Sequence, residues 1–163
     1  MGTTRSLSIW NKIYYSAFDS PMNEIVPGLW LGPLSDATPA KMKHHNIKTI
    51  INLSQREYPA MPDIACYTID VSDAVGVNLR KYFGKTNEII GNSLKKGDAV
   101  YVHCRKGISR SATIVMAYLI YTLGWEPTEL LRWIRMIRPC VEPNPGFWKQ
   151  LKVYTQLRQQ KKI

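Results

Sequence analysis

Between His103 and Ser111 the chain reads His103-Cys104-Arg105-Lys106-Gly107-Ile108-Ser109-Arg110-Ser111, a thiol and a guanidinium separated by five residues. Those five residues can curl their backbone around an anion the size of a phosphoryl group. Upstream, Asp98 to His103 reads as a short buried strand. Downstream, Ser111 to Ile120 reads as an apolar helix. A strand, a short loop and a helix N-terminus form a cradle in which successive N–H groups point inward and the helix dipole favours negative charge. The loop Arg105, Lys106, Gly107, Ile108, Ser109, Arg110 is the predicted phosphate-binding segment.

The same geometry activates the thiol. A free cysteine has a pKa of about 8.5, and helix N-termini with nearby cations lower it to roughly 3.5–7.5. With His103, Arg105, Lys106 and Arg110 around it, Cys104 is expected to be a thiolate nucleophile. Arg110 can fork two hydrogen bonds onto phosphoryl oxygens, where a lysine would supply a point charge only. Gly107 allows the backbone to turn. Ser111 can donate to the sulfur as it leaves a cysteinyl-phosphate intermediate. Releasing phosphate from an ester oxygen also needs a proton donor. Asp63, Asp70, Asp73 and Asp98 precede the loop; Asp98 lies at the far end of its strand and Asp70 closes another strand. Asp73 sits in Val71-Ser-Asp-Ala-Val-Gly-Val77, a loop with a glycine that could move over the cradle.

The elements that must position these groups alternate. Strands are expected at Glu24–Leu31, Ile47–Leu53, Ile64–Asp70 and Ala99–His103. Helices are expected at Thr38–His45, Asn78–Leu94, Ser109–Leu123, Thr128–Arg138 and Gly146–Gln159. This order argues for an α/β fold, a central mostly parallel sheet of about five strands flanked by helices, with chemistry at the carboxyl end of a central strand. At 163 residues and 45% hydrophobic content the chain suits one domain. No apolar run reaches the ~20 residues of a membrane span. Its three cysteines suggest no disulfide framework, and Cys66 and Cys140 are expected to be buried thiols. The three histidines and the cysteines lack metal-ligand spacing, so neither metal nor cofactor is expected. A formal charge of +10 biases the surface towards anionic partners.

Together these motifs resemble the cysteine-dependent protein phosphatases, specifically the small, atypical dual-specificity class. Four features carry the resemblance from about Glu24 to Leu157. They are Glu24-Ile-Val-Pro-Gly-Leu-Trp-Leu-Gly32, Asp73-x4-Asn78-Leu79, the Cys104 loop, and Arg138-Pro139 followed by Pro143-Asn144-Pro-Gly-Phe-Trp-Lys-Gln-Leu151. The resemblance implies the fold of that family and a shallow cleft admitting phosphotyrosine and phosphoserine or phosphothreonine. It implies that Cys104 attacks phosphorus, that Arg110 holds the phosphoryl group and that Asp73 is the general acid. It further implies that His103, Ser111 and Asn144 support the loop, and that Arg138 meets a second phosphate. Phosphorylated proteins, kinases among them, are the implied partners, and the cytoplasm is the implied compartment.

Two enzymatic alternatives share this chemistry, a phosphoinositide phosphatase and an RNA 5′-phosphatase; the basic pair Arg105 and Lys106 favours them, and the Arg110-Ser111 ending weighs against them. The remaining rival is a phosphoprotein-binding module without hydrolysis, against which the complete set of reactive residues stands. The domain reading is residues 1–22 as an amphipathic helical segment, from Leu7, Trp10, Ile13, Tyr14 and Ala17 at helical spacing, and 23–163 as the catalytic domain. Met1-Gly2-Thr3-Thr4-Arg5-Ser6 fits the myristoylation pattern, so Gly2 is a candidate lipidation site for membrane association. The amphipathic segment is a candidate homodimer contact, and nucleic acid is disfavoured as a partner.

Overall fold

Ala99-Val-Tyr-Val-His-Cys104 carries bulky or apolar side chains on both faces, as a strand covered on both sides must, and all six residues are buried. In the computed structural model, which describes residues 19–161, this strand is the middle of the sheet. The strands are β1 (Asn23–Val26), β2 (Leu29–Pro33), β3 (Ile47–Asn52), β4 (Ala65–Thr68) and β5 (Ala99–Cys104), in the spatial order β1-β2-β5-β3-β4. All pairs are parallel except β1 with β2. Leu31 of β2 and Ile51 of β3 both pair with Val102. The helices are α1 (Pro39–His44), α2 (Phe83–Lys95), α3 (Arg110–Leu123), α4 (Pro127–Ile137) and α5 (Pro145–Gln160). The amphipathic segment expected over residues 1–22 falls mostly outside the described residues, as do Gly2 and its lipidation motif.

Strand alternation divides the core. Val100, Val102 and Cys104 join Leu29, Leu31, Ile51, Phe83, Val115 and Leu151 in the larger apolar cluster, under the helices. Tyr101 joins Met42, Ile47 and Ile50 in a smaller one. Helix α3 is hydrophobic around most of its circumference, which suits a helix enclosed by others; Ser111 through Ala117 are all buried along it. It stops at Gly124, whose φ of 70° is the left-handed C-cap conformation that glycine adopts at low cost.

Two expected elements differ in the structure. The single strand over Glu24–Leu31 is a hairpin, because Pro27-Gly28 lies between the paired Val26 and Leu29 and Gly28 has φ 82°. Proline followed by a positive-φ glycine is the residue pair a type II turn takes. The helix expected from Asn78 begins as a 3-10 turn over Arg80–Tyr82 before α2. β4 is an edge strand with all four residues exposed, so Cys66 is not the buried thiol expected, and Cys140 is half-buried.

Candidate active site

The loop after β5 is shaped from outside. The carbonyl of Arg105 accepts from Leu34 N at 3.0 Å, and that of Ile108 from Glu142 N at 2.8 Å. The carbonyls of Lys106 and Gly107 accept from Arg138 Nη2 and Nε, each at 2.9 Å. A trans peptide turns its N–H opposite to its C=O. Pinning these four carbonyls outward therefore turns the N–H groups of Lys106, Gly107, Ile108 and Ser109 to the inner side. That of Gly107 donates to Cys104 Sγ at 3.3 Å. Gly107 sits at φ 68°, and a Cβ there would lie 2.5 Å from the carbonyl carbon and oxygen of Gly32, so only glycine lets the loop lie this close to β2.

Cys104 is 3% exposed. Its Sγ is 3.1 Å from Ser111 Oγ. Burial by itself pushes the thiol up; hydrogen bonds from the Ser111 hydroxyl and N–H, the positive charge of Arg110 and the Gly107 N–H outweigh it and hold the thiol below its ordinary value. Activation thus comes from α3 and the loop backbone. Arg105 and Lys106, expected to help, are exposed at the loop's outer edge. Arg110 is anchored by Nη1, which donates to Leu53 O at 2.9 Å and Val71 O at 3.1 Å. Its Nε is buried and has no acceptor among the described residues. A buried guanidinium donor without a partner is costly, and the Nε edge of the fork is the edge suited to two parallel bonds to an oxyanion.

Asp73 reaches the loop from the segment between β4 and α2. Its Oδ1 accepts from Ser109 Oγ at 2.7 Å and from Asn144 Nδ2 at 2.9 Å. Ser109 Oγ in turn accepts from Asn144 N at 2.9 Å, and Asn144 Oδ1 caps α5 by accepting from Phe147 N at 2.9 Å. Of the other aspartates, Asp70 accepts from Gln55 at 3.0 Å, and Asp98 precedes β5 at the end opposite Cys104. The loop expected to swing over the cradle is tied at both ends. Val71 O is held by Arg110, Val77 O accepts from Gln150 Nε2 at 2.7 Å, and Gln150 Oε1 accepts from the N–H groups of Leu79 and Arg80, each at 2.9 Å.

Arg138 departs from its expected place at a second phosphate. The side chain is completely buried. Besides the two loop carbonyls, it donates to Pro21 O at 2.6 Å, Asn23 Oδ1 at 2.9 Å and Ser20 O at 3.2 Å, so all three nitrogens are committed to protein acceptors. Among the described residues the one ion pair joins Lys41 to Asp36, so no carboxylate neutralises Arg138. The signal for burial was in the spacing: Arg138, the C-cap of α4, follows Leu130 and Ile134 at intervals of four, in line with the buried stripe of that helix.

His103 lies on the opposite face of β5 from Cys104. Burial lowers its pKa to about 4, so it is neutral at physiological pH and adds no charge to the thiol. Nδ1 is 3.1 Å from Cys104 O, and Nε2 is 2.8 Å from the hydroxyl of Tyr58. Tyr58 had no local signal in the sequence, because it meets His103 only through the packing of the loop after β3 against β5.

The family model for the dual specificity phosphatase catalytic domain matches residues 29–157. Dual specificity protein phosphatase 15 of Mus musculus is 38% identical over 143 residues, 86% of this chain and 60% of the mouse protein. The chain therefore spans about 60% of the length of the first curated relatives it matches. The crystal structure of DUSP15 superposes with a TM-score of 0.82 at 34% identity, covering 86% of this chain and 90% of that one. That of PTPMT1 in complex with PI(5)P superposes at 0.77 and 25% identity, covering 87% and 99%.

Proposed function

The chain belongs to the dual specificity phosphatase family, and from that premise we propose that residues 23–163 form a catalytic domain that hydrolyses phosphotyrosine and phosphoserine or phosphothreonine in proteins. Cys104 Sγ attacks phosphorus as the phosphoryl group settles among the loop N–H groups and the Arg110 guanidinium. The S–P bond forms and the P–O bond to the side chain breaks. Asp73 delivers its proton to the departing oxygen. Water then attacks the phosphocysteine, Asp73 takes a proton from it, and Ser111 Oγ donates to the thiolate as the S–P bond breaks.

The observation that carries this reading is the pairing of a depressed, buried thiol with a buried Arg110 Nε that has no acceptor among the described residues. A thiol stabilised as its anion and a cation donor left free on the same loop suit attack on an oxyanion ester. Support for Asp73 is that Ser109 and Asn144 both occupy Oδ1, which leaves Oδ2 to carry the exchangeable proton. A reducing compartment such as the cytoplasm keeps such a thiol competent. No described helix is long and apolar enough to cross a membrane.

A second reading, hydrolysis of phosphoinositides, is favoured by the exposed basic side chains of Arg105 and Lys106 and by the likeness to PTPMT1, whose crystal structure holds PI(5)P. The test compares kcat/KM for a doubly phosphorylated Thr-x-Tyr peptide and a soluble phosphoinositide at one salt concentration, with Cys104→Ser as the blank. A Cys104-dependent preference for the peptide of about a hundredfold, some 2.7 kcal/mol in transition-state binding, supports the protein reading. The reverse preference replaces it with the lipid reading.

A further inference from the structure

Gly146 lies where the loop carrying Asp73 crosses the first turn of α5. A Cβ built on Gly146 would sit 2.0 Å from Val75 O, 2.7 Å from Val75 C and 2.9 Å from Val75 Cα. Every one of these atoms is backbone, so no side-chain rotation relieves the contact. Gly146 is not among the glycines with positive φ. Its conformation is one that alanine adopts, and glycine in a helix costs about 0.5–1 kcal/mol relative to alanine. The missing side chain therefore answers to the loop above it and not to the helix it belongs to.

Its neighbours grip the same loop. Asn144, two residues earlier, donates to Asp73. Gln150, four residues later, accepts from Leu79 and Arg80 and donates to Val77. The first turns of α5 thus hold the segment from Asp73 to Arg80 at both ends, and Gly146 sets how closely its middle can approach. We propose that Gly146 is a positioning residue for leaving-group protonation: the absence of a side chain lets the loop sit low enough for Asp73 to reach the departing oxygen. The proposal rests on the reading of Asp73 as the general acid.

Adding one methyl group tests it. Carbon–oxygen approach below 3.0 Å is essentially never seen at a real Cβ, so Gly146→Ala forces the loop and helix apart by at least about 1 Å. A misplacement of about 1 Å is enough to cost roughly 100-fold in rate. The expected result is selective. kcat/KM for an alkyl phosphate, whose leaving oxygen needs a proton, falls by roughly 30- to 100-fold, while that for p-nitrophenyl phosphate stays within about threefold. KM is little changed, Tm falls by several degrees because the backbone contact must be relieved, and Asp73→Ala combined with Gly146→Ala is no slower than Asp73→Ala alone. Gln150→Ala frees the far end of the loop without adding bulk, and is expected to give a smaller loss with the same selectivity. Equal losses on both substrates, or none, in Gly146→Ala overturn the positioning role while leaving Asp73 untouched. If Asp73→Ala itself loses both substrates equally, the acid assignment falls first and takes this proposal with it.

Discussion

Replacing Ser111 by alanine removes a single oxygen from beside Cys104 Sγ, and its consequences can be worked out from the geometry. Ser111 is fully buried and its hydroxyl lies 3.1 Å from Cys104 Sγ. A hydrogen bond to a charged group contributes about 1.5–3 kcal/mol. At about 1.36 kcal/mol per pKa unit, its loss should raise the thiol by roughly one to two units. The Gly107 N–H, the Ser111 N–H and the Arg110 charge remain, so the thiol stays activated in part. The assay is the rate of iodoacetamide alkylation of Cys104 against pH, whose midpoint should move upward by that amount. The same hydroxyl is proposed to stabilise the thiolate released when phosphocysteine breaks down, so the variant should also show a burst of nitrophenolate followed by turnover roughly 10- to 100-fold slower. A midpoint that moves by less than about half a unit in a folded Ser111→Ala protein would refute the assignment of Ser111 as a principal source of thiol activation.

The buried His103 makes stability pH-dependent with a definite sign. Its pKa is about 4 in the folded chain against 6.5 ordinarily, so between those values the unfolded chain binds a proton that the native chain does not. Stability should therefore rise with pH across the window and fall by up to about 3 kcal/mol on acidification from about pH 6.5 to 4; urea titrations of His103→Gln should show that slope flattened. Arg138→Met strips the loop carbonyls of Lys106 and Gly107 and three acceptors near the start of β1 of their donor. A loss of at least about 3 kcal/mol is expected, read as a fall in Tm of roughly 10 °C, and an unchanged Tm would remove Arg138 from its bracing role. Asn144→Asp keeps a side chain that caps α5 equally well but replaces the Nδ2 donor to Asp73 with an oxygen. Because a second carboxylate oxygen then faces Asp73 Oδ1 where the amide donor lay at 2.9 Å, Tm should fall by a few degrees while alkyl phosphate hydrolysis slows at least about tenfold; equal slowing of p-nitrophenyl phosphate would contradict it.

Cys104, Gly107, Arg110 and Ser111 could be identified in the bare sequence because they are neighbours in it: a strand, a turn and a helix start in one short run fix their relative geometry through local backbone rules alone. The parallel sheet was legible for a similar reason, since strands buried on both faces write continuous apolar runs such as Ala99 to Val102. What depended on packing between distant segments was decided only by the tertiary structure. The hairpin at Pro27-Gly28 follows from one backbone angle and the partner that β2 finds in β5. Asp73, Ser109 and Asn144 meet across separations of 35 to 71 residues, and the Asp73 loop is clamped where its glycine had suggested freedom. His103 reads as a cation beside the thiol and is a neutral hydrogen-bonding group on the opposite face, because strand alternation turns it away from Cys104 and burial removes its proton. Arg138 reads as a ligand for phosphate and instead lies beneath the loop. A residue's type names the interactions it can make, but whether a charge meets substrate, solvent or backbone depends on which distant elements close around it.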